Sequence, residues 1–562
     1  NEVFRPTSAA SASGACANTE WSGNLLNWLT MTNLDQFRSV MTGGTRDNFS
    51  SMNASHPGDT VDRTVLIRSF SDRNSYNPQK RLLQTDPIPS ALRSATAKYV
   101  RSGGYGSKFV VSNGNNFADM NATQQRNTCA ATPLPGTAGT SWCFNIRVEA
   151  CIDVGGLGRE ANCEAKYVNG TTGATVAKPE GLIQAYATRL RFGAFGYLNE
   201  TGNDRNGGVM RSAMKSVGPV AATSTGVVAN PNLEWSQSTG VMRVDPDGLV
   251  SNPPVNGIVN SGLMNYLNKF GYAAGYKGND PVSELYYAAL RYLRGYALPT
   301  EYANNLAAAG LDGFPIITGN AHRRGGSRDP MINTCQKNFI LAIGDIYTHC
   351  DGNLPGSTRA NCAGGTPSDP DDLNAESLWD NLLSFEGMPD SRDSSGATGW
   401  AGGSGSPTPY VAGFAHWANT TDIRSDIIGT QTVSTYFVDV LENGNGVGGW
   451  PAAGTLRTQY WLAAKYGGFD MTVANSTNPN VSSTSWDRDG NGVPDTWFAG
   501  STPALLKSGL SSAFADIAAR SSANSASSAA VSSSRQTSDS QIIYAGYNPQ
   551  NWTGTVTACR TG

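Results

Sequence analysis

The sequence predicts an α/β protein in which a doubly wound parallel sheet carries helices on both faces, followed by the beginning of an all-β region. Two predominantly apolar segments, Asn338–Ile343 and Thr432–Leu441, have the composition of strands buried on both faces. Helical periodicity precedes them at Pro281–Arg294 and follows them at Tyr460–Tyr466 and Pro503–Ala519. This alternation of strands and helices is typical of an α/β sheet.

The remaining elements are predicted in chain order. An N-terminal helix capped by Asn18 and Thr19 is predicted to end at Gly43 and Gly44, because apolar residues recur at helical spacing as far as Val40. A loop-rich insertion with short strands follows near residues 45–177. Arg189–Leu198 is then a strand that pairs with Val209–Ser212 as a hairpin. A second insertion is predicted near residues 350–409.

The end of the chain changes character. Residues 521–540 are rich in Ser and Ala and predict a linker after a domain spanning residues 1–520. Residues 541–562 contain two strand-like segments, Gln541–Ala545 and Thr553–Ala558, which begin an all-β domain. The chain opens without Met or an apolar leader and stops within a strand pattern, so we expect a fragment of a longer protein.

Composition excludes several classes of protein. Of 562 residues, 15% are charged and 39% are hydrophobic, including 12 Trp, 21 Tyr and 18 Phe, which suffices for a large core and rules out disorder of the whole chain. The 41 basic residues are balanced by 44 acidic ones without a basic stripe, which argues against nucleic acid or an anionic membrane surface as the main partner. No apolar run reaches the length of about 18–20 residues that a membrane span needs.

The nine cysteines indicate disulfide bonds and an oxidising compartment. In three candidate pairs, the two cysteines are separated by a short segment rich in Gly, Asn and Pro. These pairs are Cys129–Cys143, Cys151–Cys163 and Cys350–Cys362. Cys16, Cys335 and Cys559 remain, and a pair among them, or partners outside this sequence, would account for the odd number. Zinc is the alternative, but the chain has no C-x-x-C and its four His have no ligand spacing.

The strongest local motif is the segment Asp487–Asp495, which reads DRDGNGVPD. Oxygen-bearing side chains at Asp487, Asp489, Asn491 and Asp495, with the carbonyl of Val493, follow the spacing that wraps hard oxygen ligands around Ca²⁺. Phe498 stands where an EF-hand has its bidentate Glu. The alternative is an Asp/Asn-Gly turn that holds no ion.

A second candidate metal site lies at the carboxyl end of the first buried strand. Asp345 follows that strand, where open α/β sheets place their ligands, and Asp280 and Ser283 precede the helix that ends at Arg294. The alternative roles are helix N-caps for Asp280 and Ser283 and a loop-orienting carboxylate for Asp345. The acidic segment Asp369–Asp372 is either a solvated loop or a cation site. No nucleophile–base–acid set is apparent, so we expect the protein not to be an enzyme.

Seven segments together resemble the PilY-type tip adhesins of bacterial type IV pili. They are Gly23–Gly44, Lys178–Leu198, Asp280–Gly295, Cys335–Gly356, Gln431–Glu442, Gln459–Phe469 and Asp487–Phe498. The resemblance implies a von Willebrand factor A-like domain followed by a C-terminal β-propeller. It also implies an adhesion-type metal site for Mg²⁺ or Mn²⁺, in which Asp345 matches the later Asp of the family and Asp280 and Ser283 lie where a Thr is usual. The D-x-S-x-S element of such sites does not occur ahead of Gly23.

The function that the resemblance implies is adhesion and pilus assembly. The protein would be secreted through the periplasm and outer membrane and displayed at the pilus tip, where it would depend on calcium. Its partners would be the minor pilins and a ligand on a host or abiotic surface. Two other classes stay open: a secreted calcium-binding or mechanosensing module without adhesive activity, and a secreted hydrolase or oxidoreductase.

Overall fold

The computed structural model describes most of the chain. Apart from residues 13, 18, 157 and 225, it describes residues 3–47, 58–68, 80–93, 98–102, 108–113, 141–198, 207–251, 254, 258–271, 279–303, 313–318, 322–344, 348–359, 365–387, 408–441, 458–522, 528–531, 541–548 and 553–560. The chain forms two compact units. The first comprises Asn1–Ala185, Glu234–Tyr276 and Leu311–Gly313, and the second comprises Tyr186–Leu233, Lys277–Gly310 and Phe314–Gly562.

The first unit combines short helices with small antiparallel sheets. Its helices are α1 (Gly23–Thr30), α2 (Asn33–Thr42), α3 (Leu182–Ala185) and α4 (Leu263–Lys269). Its strands are β1 (Thr64–Ile67), β2 (Lys80–Leu82), β3 (Lys98–Ser102), β4 (Lys108–Ser112), β5 (Ser141–Asn145), β6 (Arg147–Ala150), β7 (Cys163–Val168) and β8 (Thr175–Pro179). They form a four-stranded sheet in the order β2-β3-β4-β5 and the pairs β1-β6 and β7-β8.

The single N-terminal helix that the periodicity predicts is in fact two helices, α1 and α2. Thr32 interrupts it with a capping box, in which the Thr32 hydroxyl accepts from the Asp35 N–H and the Asp35 carboxylate accepts from the Thr32 N–H at 2.8 Å. Helix α2 ends at Gly43, whose φ of 84° is left-handed. A Cβ at Gly43 would lie 2.4 Å from the carbonyl oxygen of Pro179, so this close approach also requires glycine.

The second unit contains the longer helices and the parallel sheet. Its helices are α5 (Val282–Leu293), α6 (Thr300–Ala303), α7 (Ala375–Phe385), α8 (Tyr410–Thr420), α9 (Gln459–Gly468), α10 (Met471–Ala474) and α11 (Pro503–Ser522). Its strands are β9 (Phe192–Gly196), β10 (Val209–Lys215), β11 (Val220–Thr223), β12 (Gly226–Ala229), β13 (Asn338–Gly344), β14 (Val433–Asp439), β15 (Trp497–Ala499), β16 (Ser528–Val531), β17 (Gln541–Asn548) and β18 (Thr553–Arg560).

The two apolar strands predicted from the sequence lie side by side in one parallel sheet. Strand β14 is mostly buried as predicted, but β13 is only half-buried from Phe339 to Gly344, because it is an edge strand of this sheet among the described residues. Strands β13 and β14 pair in parallel from Asn338 opposite Val433 to Gly344 opposite Asp439. Strand β15 adds to the other side of β14, also in parallel. The prediction that these segments are parallel neighbours is therefore confirmed.

Helices cover both faces of this sheet. Successive side chains of β14 point to opposite faces, so each face presents apolar groups against which helices pack. Val433 and Phe437 are buried with residues of α5, α8 and α9. Tyr436, on the opposite face, is buried with Ala513 and Ile517 of α11. The carboxyl ends of β13 and β14 thus open at one edge, between two helical layers. The predicted hairpin is also present, since β9 and β10 pair antiparallel.

The last described segments form a small antiparallel sheet in the order β16-β17-β18. Helix α11 extends into the predicted linker as far as Ser522, and β16 lies within that linker. The described residues are thus a mixed α/β structure with small sheets and contain neither a closed barrel nor a propeller. The von Willebrand factor A-like assignment, the propeller and the domain limits at 520 and 540 remain predictions. None of the described helices has both the length and the hydrophobicity to cross a membrane.

Candidate metal centre

The predicted calcium loop connects the 3₁₀ turn Ser483–Ser485 to β15. Asp487 organises it, because its carboxylate accepts hydrogen bonds from the backbone N–H groups of Asn491 at 3.0 Å and Gly492 at 2.8 Å. Gly490 and Gly492 have left-handed φ values of 70° and 80°, which allow the chain to wind tightly around this carboxylate. Asp487 is buried, so the loop is centred on a carboxylate withdrawn from solvent.

The other predicted ligands lie around Asp487 on the same loop. Asp489 accepts from the backbone N–H of Asn491 at 3.2 Å and from its side-chain amide at 2.9 Å. The side-chain oxygen of Asn491 accepts from the N–H of Val493 at 2.7 Å. Asp495 is turned toward Arg488, whose Nε donates to its Oδ2 at 2.5 Å. Of the predicted ligands, Asp495 is thus the one in an ion pair.

The donor chemistry of this loop fits Ca²⁺, which prefers carboxylate, amide and carbonyl oxygens. Three carboxylates lie within nine residues, with the guanidinium of Arg488 as the positive charge within the loop. The buried one, Asp487, accepts hydrogen bonds from the backbone amides of Asn491 and Gly492. The three carboxylates are nevertheless not all within 4.8 Å of one another. One calcium ion could therefore be held by all three carboxylates only after at least one of them moves, and Asp495 is the one directed at Arg488.

One described group of His, Cys, Asp or Glu residues does bring three ligand atoms within 4.8 Å of one another, namely Cys151, Glu160 and Cys163. Its two sulfur atoms form a disulfide bond, with a Cα–Cα distance of 5.6 Å. A sulfur in a disulfide is not a thiolate and so is not the ligand that zinc needs. This cluster is therefore a crosslink rather than a metal site.

The disulfide Cys151–Cys163 was predicted from its loop, and the structure contains it. Cys143 and Cys350 are also disulfide-bonded, but Cys129 and Cys362, their predicted partners, lie outside the described residues. Those two pairings remain predictions. Cys16 and Cys335 are free thiols.

The second candidate site centres on the start of α5, and its residues are already hydrogen-bonded within the protein. Ser283 is fully buried, and its hydroxyl donates to Asp351 Oδ2 at 2.6 Å and accepts from the N–H of Val411 at 3.1 Å. Asp280 faces His349, with its Oδ1 2.7 Å from the ring Nδ1. Asp345, the predicted third ligand, lies outside the described residues. The adhesion-type site therefore stays a prediction.

Asp351 is the group at this position that sequence reasoning missed. Its Oδ1 accepts from the N–H groups of Ser283 at 2.8 Å and Glu284 at 3.2 Å, so Asp351 caps α5 from a distant part of the chain. Thr408 donates to its Oδ2 at 2.9 Å. Burial raises the pKa of Asp351 to about 7, although these hydrogen bonds act to lower it. No local motif around Asp351 indicates this role, because its partners are 57 and 68 residues away.

A further carboxylate lies at the edge of the sheet where β14 ends. Asp439 is fully buried, its Oδ1 accepts from the N–H of Leu441 at 2.9 Å, and burial raises its pKa to about 6. The signal was present in the sequence, since Asp439 is the acidic residue within an otherwise uncharged strand segment. Such a residue in a buried strand is itself unusual and indicates a special environment.

Comparison with known proteins identifies the family. The family model described as "PilY1 homolog, small alpha/beta domain" matches residues 1–129, and "PilY1 homolog, second domain" matches residues 200–413. A Type IV pilus biogenesis factor PilY1 homolog of Xylella fastidiosa strain Temecula1 is 32% identical over 499 residues, which are 83% of this chain. The chain belongs to the PilY1-type family.

A second PilY1 homolog of the same strain is 24% identical over 432 residues, or 68% of this chain. The aligned regions cover 38% and 27% of the lengths of these two relatives, so the PilY1-type chain described here corresponds to part of each. No solved structure shows significant similarity to it. The resemblance derived from the seven sequence segments is thus confirmed at the level of the family.

Proposed function

We propose that this PilY1-type chain functions in type IV pilus biogenesis as a calcium-dependent adhesin and priming factor at the pilus tip. The observation that carries the proposal is the 32% identity over 83% of the chain to a protein named as a type IV pilus biogenesis factor. The protein would be exported through the periplasm and outer membrane and would bind the minor pilins. Its surface ligand would be on a host or an abiotic material.

The experiment that tests this role uses the full-length gene in the bacterium that encodes it. A deletion strain is complemented with the wild-type gene, and sheared surface pili and adhesion to a surface are both quantified. We expect the deletion to reduce both and the wild-type gene to restore both. Unchanged pilus numbers in the deletion strain would contradict a biogenesis role. Restored pili without any contribution to adhesion would favour a surface module that lacks adhesive activity.

The donor set of the loop Asp487–Asp495 supports calcium dependence. It favours a calcium site over the alternative interpretation, a turn that holds no ion. Binding to the folded state alone raises the free energy of unfolding by about 2.7 kcal/mol when calcium is at a hundredfold excess over Kd. Because Phe498 replaces the bidentate carboxylate, we expect affinity in the range of extracellular modules, with Kd of about 10⁻⁴–10⁻³ M. The site for Mg²⁺ or Mn²⁺ around Asp280, Ser283 and Asp345 is a separate proposal and would need Asp280 to leave His349.

We expect millimolar calcium to raise the unfolding temperature of the wild-type chain and chelator to reverse the increase. Asp487→Asn should abolish this response, because it removes the central charge while keeping an oxygen for the loop amides. The matched control is Glu164→Gln, which removes an exposed carboxylate of the first unit and should respond to calcium as wild type does. Differential scanning calorimetry with calcium and with chelator measures all three. An equal response of wild type and Asp487→Asn would show that the assigned ligands are wrong.

A further inference from the structure

We infer that Arg488 competes with calcium for Asp495, so that metal binding transfers Arg488 to Asp516 on α11. This inference rests on the proposed calcium loop and adds to it a residue that sets its affinity and connects it to the following helix. Arg488 occupies the second position of the loop motif and is not itself a ligand type, because a guanidinium offers donors only.

The contact between Arg488 and Asp495 is the first observation. Arg488 Nε donates to Asp495 Oδ2 at 2.5 Å, and the side chain of Asp495 is 15% exposed while that of Arg488 is 60% exposed. The backbone N–H of Arg488 also lies 3.4 Å from both oxygens of Asp495. The side chain of Asp495 is therefore directed at Arg488. It would have to turn toward Asp487 and Asp489 for the three carboxylates to share one cation, because they do not all lie within 4.8 Å of one another.

The second observation is that Arg488 has another carboxylate within reach. Its Nη2 lies 3.4 Å from Oδ1 of Asp516, a residue of α11. The other oxygen of Asp516 accepts from the hydroxyl of Tyr436 at 2.6 Å and from Nε of Arg520 at 2.8 Å. Asp516 is thus anchored to the central strand β14 and to its own helix, and its Oδ1 is directed toward the loop.

An exchange of partners follows from these two contacts. In this structure, Arg488 is shared between Asp495 at 2.5 Å and Asp516 at 3.4 Å. When calcium recruits Asp495, the guanidinium loses its nearer acceptor and Asp516 becomes its remaining one. Calcium binding would thereby tighten the contact between the loop and α11, the helix after which the chain leaves the parallel sheet toward β16.

The test measures calcium affinity of the chain by isothermal titration calorimetry. Arg488→Gln removes the competitor, so we expect Kd to fall roughly two- to fivefold, the range given by an exposed ion pair. Asp516→Asn removes the negative charge of the alternative partner, so Arg488 should favour Asp495 and Kd should rise by a similar factor. In the Arg488→Gln background, Asp516→Asn should have no further effect. The control Lys507→Gln removes an exposed positive charge from α11 and should leave Kd unchanged.

The outcomes separate this inference from the proposal on which it rests. If the wild-type chain binds no calcium, both are overturned. If wild type binds calcium but Arg488→Gln does not bind it more tightly, only the competition is overturned. If Lys507→Gln tightens binding as much as Arg488→Gln, or if Asp516→Asn weakens binding equally in both backgrounds, general electrostatics explain the effect and the inference is wrong. Circular dichroism in chelator verifies that each variant is folded.

Discussion

Replacing Arg294 with Met is expected to lower the free energy of unfolding of the second unit by about 3–5 kcal/mol, as breaking a buried ion pair does. The Arg294 side chain is fully buried, and its guanidinium donates to the two oxygens of Asp369 at 2.7 and 2.8 Å and to Asp371 at 2.6 Å. Met fills much of the volume but leaves Asp369 as a buried charge that keeps the hydrogen bond from the Tyr287 hydroxyl and loses the guanidinium. Urea denaturation followed by fluorescence measures the loss.

The effect should also depend on pH, with a definite sign. Burial acts to raise the pKa of Asp369, but the hydrogen bond from Arg294 and that from Tyr287 outweigh it and lower the pKa below its usual value. Stability from a lowered carboxyl pKa is present above the unfolded pKa of about 4 and is lost as the pH falls through the folded value. The difference between wild type and Arg294→Met should therefore be largest at neutral pH and shrink in acid.

The double variant Arg294→Met/Asp369→Asn is the control for this explanation. Asn keeps an oxygen for the backbone N–H of Asp371, which donates to Asp369 Oδ1 at 2.8 Å, but carries no charge. We expect it to regain part of the stability that the single change loses. If the double variant is as unstable as Arg294→Met, lost packing rather than an unpaired charge is responsible.

The pair Arg294–Asp369 also shows why part of the fold could not be predicted from the sequence. The acidic segment Asp369–Asp372 reads locally as a solvated loop or a cation site, and the solvated reading is wrong for Asp369, which is buried against Arg294. The partner that decides this lies 75 residues earlier in the chain. A local sequence shows that a carboxylate would be costly to bury without a partner. It does not show which distant cation will pair with that carboxylate.

Elements with a strong local signal were predictable. Strands β13 and β14 are apolar because helices pack on both faces of their sheet, although β13 at the edge is only half-buried. This signal needs no knowledge of distant partners. The break between α1 and α2 had a signal too, the capping pair Thr32 and Asp35, which the continuous apolar periodicity concealed. The segment Asp487–Asp495 has a local signal too, since its oxygens lie within nine residues, and calcium binding there stays a prediction. The exchange partner of Arg488 was not predictable, because Asp516 lies 28 residues further along the chain.

The hydrogen-bond partner of Ser283 in the second candidate site could not be predicted from the sequence, for a geometric reason. Ser283 was considered as a metal ligand or a helix cap, and the structure shows its hydroxyl bonded to Asp351, a carboxylate from the loop after β13. The described residues place the Asp351 carboxylate against Ser283 at the start of α5. Chain connectivity across the carboxyl end of the sheet brings the two together, and periodicity contains no information about that connection.

Removal of the Asp351 side chain is expected to cost about 4 kcal/mol or more, because each buried donor left without an acceptor costs roughly 1–3 kcal/mol. Asp351→Ala leaves two backbone N–H groups, those of Ser283 and Glu284, and the hydroxyls of Ser283 and Thr408 without this carboxylate. Asp351→Asn keeps one acceptor oxygen for the N–H groups and should cost less. Urea denaturation of both variants measures the order, and equal losses would show that the cap is not the source.

Comparing wild type with Asp351→Asn tests the protonation of Asp351. Its folded pKa of about 7 exceeds the unfolded value of about 4, so its stabilising contribution is complete below pH 4 and is lost as the pH rises toward 7. Two ionisable groups face Asp351. Glu284 is buried and accepts a hydrogen bond from the N–H of Asn353 at 2.7 Å. Burial raises the pKa of Tyr302, and the charges of Glu284 and Asp351 add to this increase. Asn does not titrate, and wild type and Asp351→Asn have Asp439 and these neighbours in common. The difference between their unfolding free energies therefore isolates the titration of Asp351.

We expect wild type to lose stability relative to Asp351→Asn between pH 4.5 and 7.5 in urea titrations. Parallel curves across that range would mean that Asp351 has the same charge in the folded and unfolded chain.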